Sequence, residues 1–308
     1  MQFAASVPKY LLFIVLSCCL LLSDFINIDL TGVSLLNPVT YDADGPARSI
    51  WTSLSYSFTL DHQVNSKAVD SQIQKWLADK KRLNHILESA SPYIYYIYQQ
   101  TQEQGLPAEI ALIPVIESEY KPNGRSQMGA TGLWQLMPQT AHQLGVKVKN
   151  GYDGRRNVVH STQAALAYFK NLGNLFNGNW LLAIAAYNCG QIKVAHATKR
   201  AGTDDFWNLR LPRETKIYVP RLLAIAEIVQ NPKKYGVTLP PVDNKPYFKE
   251  IAIQKATNLT QLAKAAGSDL NTLKKLNPDY QHIITPHLSN NKVLVPVKAI
   301  SIDKAATS

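Results

Sequence analysis

Residues 180–190 read Trp-Leu-Leu-Ala-Ile-Ala-Ala-Tyr-Asn-Cys-Gly and give the strongest indication of the fold class. From Trp180 to Tyr187 every residue is apolar or aromatic, so a helix over these residues has no polar face. Such a helix is stable only when other elements surround it. Gly190 is typical of a helix terminator, and Asn188 and Gly190 could form a C-cap and nothing more. The stretch therefore predicts a helical domain built around a buried central helix.

Helical periodicity continues on both sides of this stretch, from about residue 67 to residue 236. Leu83, Ile86, Leu87 and Ala90 recur at the spacing of one helix face. Residues 164–176 form another apolar-rich helix, and a last helix is predicted over about 214–229. Strand-like alternation is almost absent, so the sequence predicts a mainly α domain over residues 67–236.

The N-terminal residues have the pattern of an export signal. Lys9 precedes an apolar run from Leu11 to Leu22, which is short for a membrane-spanning helix but typical of a signal-peptide core. We therefore predict export to the periplasm or cell envelope. A signal peptide over residues 1–23, a short membrane anchor and a buried N-terminal helix all remain open. Residues 24–66 are interpreted as a spacer.

A second, smaller module is predicted after a boundary at residues 237–246. These read Val-Thr-Leu-Pro-Pro-Val-Asp-Asn-Lys-Pro, which is typical of a proline-rich linker. The module, residues 247–298, begins with a possible strand and continues with two short helices separated by Gly267. It ends in a second strand over 293–297, and residues 299–308 form a tail.

Composition narrows the class of protein. Hydrophobic residues make up 46% of the chain and charged residues 18%, which excludes wholesale disorder. The net charge of +10 favours an anionic partner, and nucleic acid, anionic lipid and an acidic cell-wall polymer all qualify. Outside the leader Cys189 is the only cysteine, so no intramolecular disulfide is expected there. The seven histidines are scattered and include no HExxH pair and no Cys/His cluster, so no metal site is predicted.

Glu117 is the candidate catalytic acid. It follows the hydrophobic run 110–116, and a carboxyl group carried by such a helix into a cleft loses solvation. Its pKa then rises, which suits general-acid catalysis near neutral pH. Pro114 is expected to bend this helix close to the acid. The alternative is a helix-terminal glutamate that faces solvent.

A glycine-rich segment, residues 124–135, follows Glu117. Its spacing superficially resembles a phosphate-binding loop, but Ala130 stands where that loop needs lysine and no strand precedes it. The glycines are instead expected to let the backbone approach a ligand closely. Gln135 supplies an amide suited to sugar hydroxyl or acetamido groups. Tyr218, taken alone, is interpreted as a core tyrosine.

Three motifs carry a family resemblance. Glu117-Ser118, Gly132-Leu-Trp-Gln135 and Ala186-Tyr-Asn-Cys-Gly190 occur in the order and spacing of the lysozyme-like lytic transglycosylases. The flanking stretches 137–138, 152–156 and 214–220 are similar to that family too. The resemblance covers about residues 75–235 and is strongest to the membrane-bound, D-type members.

The resemblance implies a fold and a site. The fold is an all-helical, goose-type lysozyme-like (SLT) catalytic domain with a long sugar-binding cleft. Glu117 matches the catalytic acid/base, and Glu119 is assigned no role. Trp134 replaces a methionine common in the wider family, which is expected to affect the shape of a sugar subsite. The residues matching cleft positions that hold the substrate are Ser118, Gln135, Tyr187, Asn188 and Tyr218.

The resemblance also implies a reaction. Lytic transglycosylases cleave the β-1,4 bond between N-acetylmuramic acid and N-acetylglucosamine in peptidoglycan and leave 1,6-anhydromuramic acid ends. One glutamate serves as acid and base, no metal or organic cofactor takes part, and no second acid is an obvious partner of Glu117. Lysozyme-type hydrolysis on the same fold and a non-catalytic cell-wall-binding protein are the alternatives. A nucleic-acid partner is not expected, because a recognition element is missing and an export signal is present.

The C-terminal module resembles a LysM glycan-binding module, a small β-α-α-β fold. It departs from that pattern at two turns, where Ala256-Thr257-Asn258 replaces the usual Gly-Asp-Thr and Asn291-Lys292 replaces Gly-Gln. These turns help to form the sugar groove in LysM modules. The resemblance therefore implies the fold, while glycan binding and a packing or spacing role both stay open.

Overall fold

A computed structural model of the chain describes residues 49–287 and 291–297. The predicted leader, residues 24–48 of the predicted spacer and the tail lie outside these residues. Within them, no helix is both long and apolar enough to cross a membrane. The described residues all belong to one compact unit.

The larger part of the described chain is helical, as the sequence predicts. Its helices are α1 Ile50–Tyr56, α2 Lys67–Leu77, α3 Lys80–Ala90, α4 Ile94–Glu103, a 3₁₀ helix Ala108–Leu112, α5 Ile113–Glu117, α6 Pro138–Gln143, α7 Val158–Leu175, α8 Trp180–Cys189, α9 Gln191–Ala201, a second 3₁₀ helix Phe206–Asn208 and α10 Arg213–Gln230. The strands β1 Val148–Lys149 and β2 Tyr152–Asp153 form a short antiparallel pair between α6 and α7.

Helix α8 lies at the centre of this helical part. Residues 182–186 are buried, and the helix packs against α7, α9 and α10. It begins where the Asn179 side chain accepts a hydrogen bond from the Leu182 N–H, and it ends at Gly190 with φ 92°. A side chain at that φ would be strained, which explains glycine at this position. The predictions of a buried central helix and of Gly190 as its terminator are confirmed.

Helix α1 belongs to the core, although the sequence places residues 24–66 in a spacer. Ile50, Trp51 and Leu54 are buried against α10 and α4. The helix has only seven residues, or about two turns, which are too few to show a helical period in the sequence. The packed domain therefore starts before residue 67.

The proline-rich stretch 237–246 packs on α1 and is hydrogen-bonded to it. The Trp51 indole N–H donates to the Pro240 carbonyl at 2.9 Å, and the Ile50 N–H donates to the Val242 carbonyl at 2.9 Å. Val237 and Val242 are buried. The Pro240 carbonyl thus accepts from a side chain of α1, and the Val242 carbonyl accepts from the first N–H of α1, which has no partner inside the helix.

The C-terminal module has the predicted β-α-α-β order. Strand β3 (Phe248–Ala252) pairs antiparallel with β4 (Lys292–Pro296), with Phe248 opposite Pro296. Helices α11 (Leu259–Ala265) and α12 (Leu270–Leu276) cover one face of this pair. The module's core consists of Leu259, Ala263, Ala266, Leu273, Val293 and Val295.

The module is docked on the helical part. The Tyr152 and Tyr280 rings lie 5.5 Å apart, centroid to centroid. The Asn157 amide donates to the Asp279 carboxylate at 2.8 Å, and the Tyr93 hydroxyl donates to the Lys275 carbonyl at 3.1 Å. Tyr152 and Asp279 are both buried. These contacts hold the two parts against each other across the sequence boundary.

Candidate active site

Glu117 is the last residue of α5, and the chain on its N-terminal side holds it firmly. Residues 108–115, which comprise the 3₁₀ helix and the start of α5, are buried. Pro114 lies in the first turn of α5, where a proline needs no hydrogen-bond partner for its nitrogen. The expected proline bend inside a helix is therefore wrong, because the helix starts at this point.

The chain reverses sharply after Glu117. Glu119 and Tyr120 both have φ 55°, a left-handed conformation that costs of order 1 kcal/mol for each non-glycine residue. Two buried hydroxyls stabilise the turn: Ser118 donates to the Leu133 carbonyl at 2.8 Å, and Tyr120 donates to the Ala111 carbonyl at 2.6 Å. The turn therefore fixes the direction in which Glu117 leaves its helix.

Tyr218 of α10 contacts the Glu117 carboxyl group directly. Its hydroxyl donates to Glu117 Oε1 at 2.6 Å. Burial raises the pKa of Glu117 to about 7, and the Tyr218 hydrogen bond acts against that rise by stabilising the carboxylate. An acid with this pKa is substantially protonated near neutral pH, as a general acid must be.

Two further residues of α10 act on the charge of Glu117. Glu214 raises the pKa of Glu117 by repulsion, and Arg221 lowers it by attraction. Glu214, Tyr218 and Arg221 are spaced by four and three residues, so they follow one stripe of the helix. Neither Glu214 nor Arg221 was predicted as a site residue, although their helical spacing from Tyr218 is visible in the sequence.

The glycine-rich segment packs on the chain around Arg155. At Gly132, with φ 85°, an added Cβ would lie 1.9 Å from the Arg155 carbonyl oxygen. Gln135, with φ 47°, donates from its amide to the Gly132 carbonyl at 2.9 Å and to the Gly124 carbonyl at 3.3 Å. The close approach that Gly132 permits is thus to protein backbone. The expectation that this glycine makes room for a ligand is corrected accordingly.

A buried ion pair between Arg155 and Asp153 holds the glycine-rich segment 124–135 in place. Arg155 donates from Nε to Asp153 Oδ1 at 2.9 Å and from Nη2 to Oδ2 at 2.8 Å. Its Nη1 donates to the Gly129 carbonyl at 2.9 Å. This two-point geometry orients the guanidinium firmly. The conformation of the segment next to Glu117 is therefore set by Asp153 and Arg155.

Tyr187 and Asn188 end α8 beside the same segment. Tyr187 donates to the Trp134 carbonyl at 2.8 Å and stacks on Phe169 with centroids 4.3 Å apart. The Asn188 carboxamide oxygen accepts from the Thr215 hydroxyl of α10 at 2.7 Å. The nearby Glu117 charge adds to burial in raising the pKa of Tyr187. Tyr187 thus connects α8 to the glycine-rich segment 124–135, and Asn188 connects α8 to α10.

Trp134 and Glu119 lie away from the Glu117 carboxyl group. The Trp134 side chain is fully buried, and its indole N–H donates to the Thr162 hydroxyl at 2.9 Å. Its side chain does not line a subsite directly, and its predicted effect on the shape of a sugar subsite stays a prediction. Glu119 forms ion pairs with Arg82 and Lys121, so its carboxylate is engaged outside the site.

The structure thus brings the predicted residues together in two ways. Glu117 and Tyr218 are in direct contact, and Ser118, Tyr187 and Gln135 all bind the backbone of residues 124–134. Asn188 contacts α10 instead. Within the described part of the chain, no group of three His, Cys, Asp or Glu residues could hold a metal ion. The arrangement provides a carboxyl group with a pKa of about 7 and a fixed hydrogen-bond donor at one of its oxygens.

Comparison with known families matches both parts of the chain. The transglycosylase SLT domain family matches residues 94–210. The family described as lytic transglycosylase MltD, LysM-like domain matches residues 247–307. The chain belongs to the lytic transglycosylase family. The predicted family, the mainly α SLT fold and the LysM-like fold of the module are confirmed.

Three curated proteins with sequences similar to this chain differ in identity and coverage. Membrane-bound lytic murein transglycosylase D of Escherichia coli (strain K12) is 35% identical over 257 residues, which cover 82% of this chain and 57% of that protein. A putative tributyltin chloride resistance protein of Alteromonas sp. (strain M-1) is 33% identical over 55% of this chain and 82% of its own length. The soluble lytic murein transglycosylase of E. coli (strain K12) is 28% identical over 50% of this chain and 26% of its own length. The chain thus spans little more than half of the D-type relative.

Proposed function

We propose that this chain is a peptidoglycan lytic transglycosylase with Glu117 as its only catalytic carboxylate. It cleaves the β-1,4 bond between N-acetylmuramic acid and N-acetylglucosamine and leaves a 1,6-anhydromuramic acid end. The observation that carries the proposal is the Glu117–Tyr218 pair, in which a carboxyl group with a pKa of about 7 receives a hydrogen bond at one oxygen. Family membership supports the same reaction.

In the first step Glu117 acts as the acid. Tyr218 donates to Oε1, so the transferable proton resides on Oε2. This proton moves to the glycosidic oxygen while the bond from muramic C1 to that oxygen breaks, and N-acetylglucosamine leaves with the proton. The positive charge at C1 is stabilised by the substrate's own acetamido group and by protein dipoles around the site.

In the second step the Glu117 carboxylate acts as the base. It removes the proton of the muramic C6 hydroxyl, and the C6 oxygen forms a bond to C1 of the same sugar. This closes the 1,6-anhydro ring, returns the proton to Glu117 and uses no water molecule. The Tyr218 hydrogen bond stabilises the carboxylate between the two steps.

Lysozyme-type hydrolysis is the second candidate, and Glu214 is the observation that favours it. Two carboxylates are the usual requirement for glycoside hydrolysis, and Glu214 is an exposed acid whose charge reaches Glu117. In this case Glu214 would activate water for attack at C1. The products would then be one water heavier than anhydro products, so their mass separates the two reactions.

The remaining site residues are proposed to hold the substrate. Ser118 and Tyr187 keep the 133–134 backbone in place beside Glu117, and Gln135 presents its carboxamide at the same segment. Asn188 uses its carboxamide oxygen on Thr215, which leaves its N–H groups as donors toward an acetamido carbonyl.

We also propose that the protein works in the cell envelope on peptidoglycan glycan strands. Its positive net charge suits this acidic polymer. The N-terminal segment would direct export and could associate with the membrane. The LysM-like module, held against the catalytic part, would add glycan-binding surface next to the cleft.

The test is digestion of purified peptidoglycan sacculi by the exported portion of the chain, with Glu117→Gln as the paired control. Mass spectrometry of the released muropeptides should give 1,6-anhydromuramic acid ends with the unchanged enzyme and none with Glu117→Gln. Reducing muramic acid ends would establish the hydrolase. Binding to sacculi without release from either protein would favour a non-catalytic wall-binding protein.

A further inference from the structure

Arg221 differs from Arg82 and Arg155 because, in the described part of the chain, its guanidinium forms no direct ion pair, although the Glu117 and Glu119 charges act on it from a distance. It is half-buried and stacks over the Trp76 ring, 4.7 Å from the ring centroid. In the described part of the chain the guanidinium forms no ion pair and no hydrogen bond, whereas Arg82 and Arg155 are both paired with carboxylates. Five N–H donors are therefore held in a fixed position without an acceptor.

Arg221 faces a cavity of about 290 Å³ between α2, α3 and α10. Its lining carries three cations, Lys75, Arg82 and Arg221, against one acid, Asp79. Asp79 already accepts a hydrogen bond from the Arg82 N–H as the cap of α3, and the Arg82 guanidinium is held by Glu119. Lys75 and Arg221 are thus two positive charges at one cavity that form no direct ion pair with any described residue.

The cavity adjoins the catalytic residues. Arg221 follows Tyr218 by three residues on α10, and its charge acts on Glu117. Arg82, on the opposite wall, is bound to Glu119, two residues beyond Glu117. Burial and the neighbouring Arg82 charge lower the pKa of Arg221, so an anion in the cavity would be stabilised by a guanidinium that is poorly solvated.

We propose that this cavity binds a free carboxylate of the peptide stem attached to the muramic acid residue at the active site. The inference rests on the proposed function and extends it to substrate choice. The stem leaves the sugar through the lactyl group, close to the bond that Glu117 protonates, and it contains carboxylates that are not used in peptide bonds. A guanidinium receives a carboxylate by two parallel hydrogen bonds, which fixes both distance and orientation. The enzyme therefore prefers strands with acidic stems.

The experiment compares three soluble glycan strands: strands with free-acid stems, the same strands with their carboxylates amidated by ammonia and a carbodiimide, and strands freed of stems by an amidase. The last carry only the lactyl carboxylate. The release of 1,6-anhydro ends is followed by chromatography as a function of strand concentration. We expect kcat/KM to be about tenfold higher for free-acid than for amidated strands, through a lower KM.

Arg221→Gln and, separately, Lys75→Gln should reduce this preference toward one. Lys216→Gln, an exposed cation on the same helix, should keep it. The ratio between two substrates of one variant is insensitive to a change in the Glu117 pKa, because that change affects both substrates equally. Thermal unfolding of each variant checks that it is folded.

Three outcomes would overturn the inference. The unchanged enzyme could treat free-acid and amidated strands alike, or Arg221→Gln and Lys75→Gln could both keep the preference. The amidase-treated strands could also react as well as free-acid strands and lose this activity in Arg221→Gln, which would assign the cavity to the lactyl carboxylate. If no strand gives anhydro ends with the unchanged enzyme, the proposed function itself fails.

Discussion

Glu117 lies between opposite influences on its charge. Burial and Glu214 favour its neutral form, whereas Tyr218 and Arg221 favour the carboxylate. Burial is the largest of these effects, so the pKa is about 7. Catalysis by one residue as acid and then base needs both forms to be accessible, and a pKa near the working pH provides this. The two charged neighbours on α10 therefore tune the acid as well as surround it.

Replacing Tyr218 by phenylalanine should change the pH dependence of activity. The hydrogen bond that stabilises the Glu117 carboxylate is lost, so the Glu117 pKa rises and activity persists to higher pH. At the same time kcat should fall about tenfold, because the carboxylate is less stabilised and less well oriented between the steps. Tyr95→Phe, a half-buried tyrosine of α4, is the matched control. An unchanged pH profile in Tyr218→Phe would show that this contact does not act on the catalytic acid.

Replacing Glu117 by glutamine should stabilise the fold at high pH. The folded-state pKa of about 7 lies above the ordinary glutamate value, so the wild-type fold loses stability as the pH rises between the two values and no further above 7. Glutamine carries no charge to bury. The variant should gain about 3 kcal/mol over wild type at pH 8 and almost nothing at pH 4.

Urea unfolding at both pH values measures this difference, with the exposed Glu88→Gln as control. Equal stabilities of wild type and Glu117→Gln at pH 8 would mean that Glu117 is solvated in the folded protein.

Helix α7 illustrates how one side chain serves two elements. Asn157 accepts from the His160 N–H at 2.9 Å, which caps the helix, and its amide donates to Asp279 of the C-terminal module. Asp279 is buried, and burial raises its pKa to about 7. The cap and the docking contact therefore depend on opposite ends of one carboxamide.

Asn157→Asp separates the two roles. The new carboxylate can still cap α7, but it faces the Asp279 carboxylate in place of a donor. We expect a loss of about 2 kcal/mol relative to wild type at pH 8 and a smaller loss at pH 5, where Asp279 is protonated and can donate. Asn157→Ala should be destabilised at both pH values. Denaturant unfolding tests both variants, and equal losses for Asn157→Asp at the two pH values would contradict the role of Asp279.

Sequence reasoning succeeded for elements whose signal is local. Helix α8 is apolar on every face, and the residues before Glu117 are a continuous hydrophobic run. Both patterns predict burial, and both segments are largely buried. Helix α1 was not recognised, because seven residues do not show a helical period. The Asn157–Asp279 contact joins residues 122 positions apart, and no pattern within either segment announces it. The structure gives the positions of the predicted site residues, and their catalytic and substrate-binding roles stay predictions.

At the scale of the whole molecule, the module is a supporting part of the catalytic unit. Phe248 of β3 packs against Tyr96 of α4, and Tyr280 covers Tyr152 near the start of α7. The proline-rich stretch 237–246, which the sequence predicts as a linker, is hydrogen-bonded to α1. A module held by these contacts presents its surface in one fixed orientation relative to the catalytic part. A module on a flexible linker would instead sample many orientations.

Ending the chain after residue 246 should therefore destabilise the catalytic part. Tyr152, 3% exposed in the intact chain, would become exposed to water, and Asn157 would lose its partner. We expect the thermal midpoint to fall by about 5 °C or more, since 1 kcal/mol corresponds to roughly 2–4 °C for a domain of this size. Scanning calorimetry of the two chain lengths provides the measurement, and an unchanged midpoint would mean that the two parts fold independently.

In the proposed mechanism Glu117 directs an intramolecular ring closure in which no water molecule takes part. Digestion of peptidoglycan strands in water enriched in oxygen-18, followed by mass spectrometry of the new muramic ends, tests this mechanism. We predict 1,6-anhydro ends that contain no oxygen-18, because the C6 oxygen of the same sugar attacks C1. Reducing ends that carry one oxygen-18 atom would contradict this mechanism and identify water as the nucleophile.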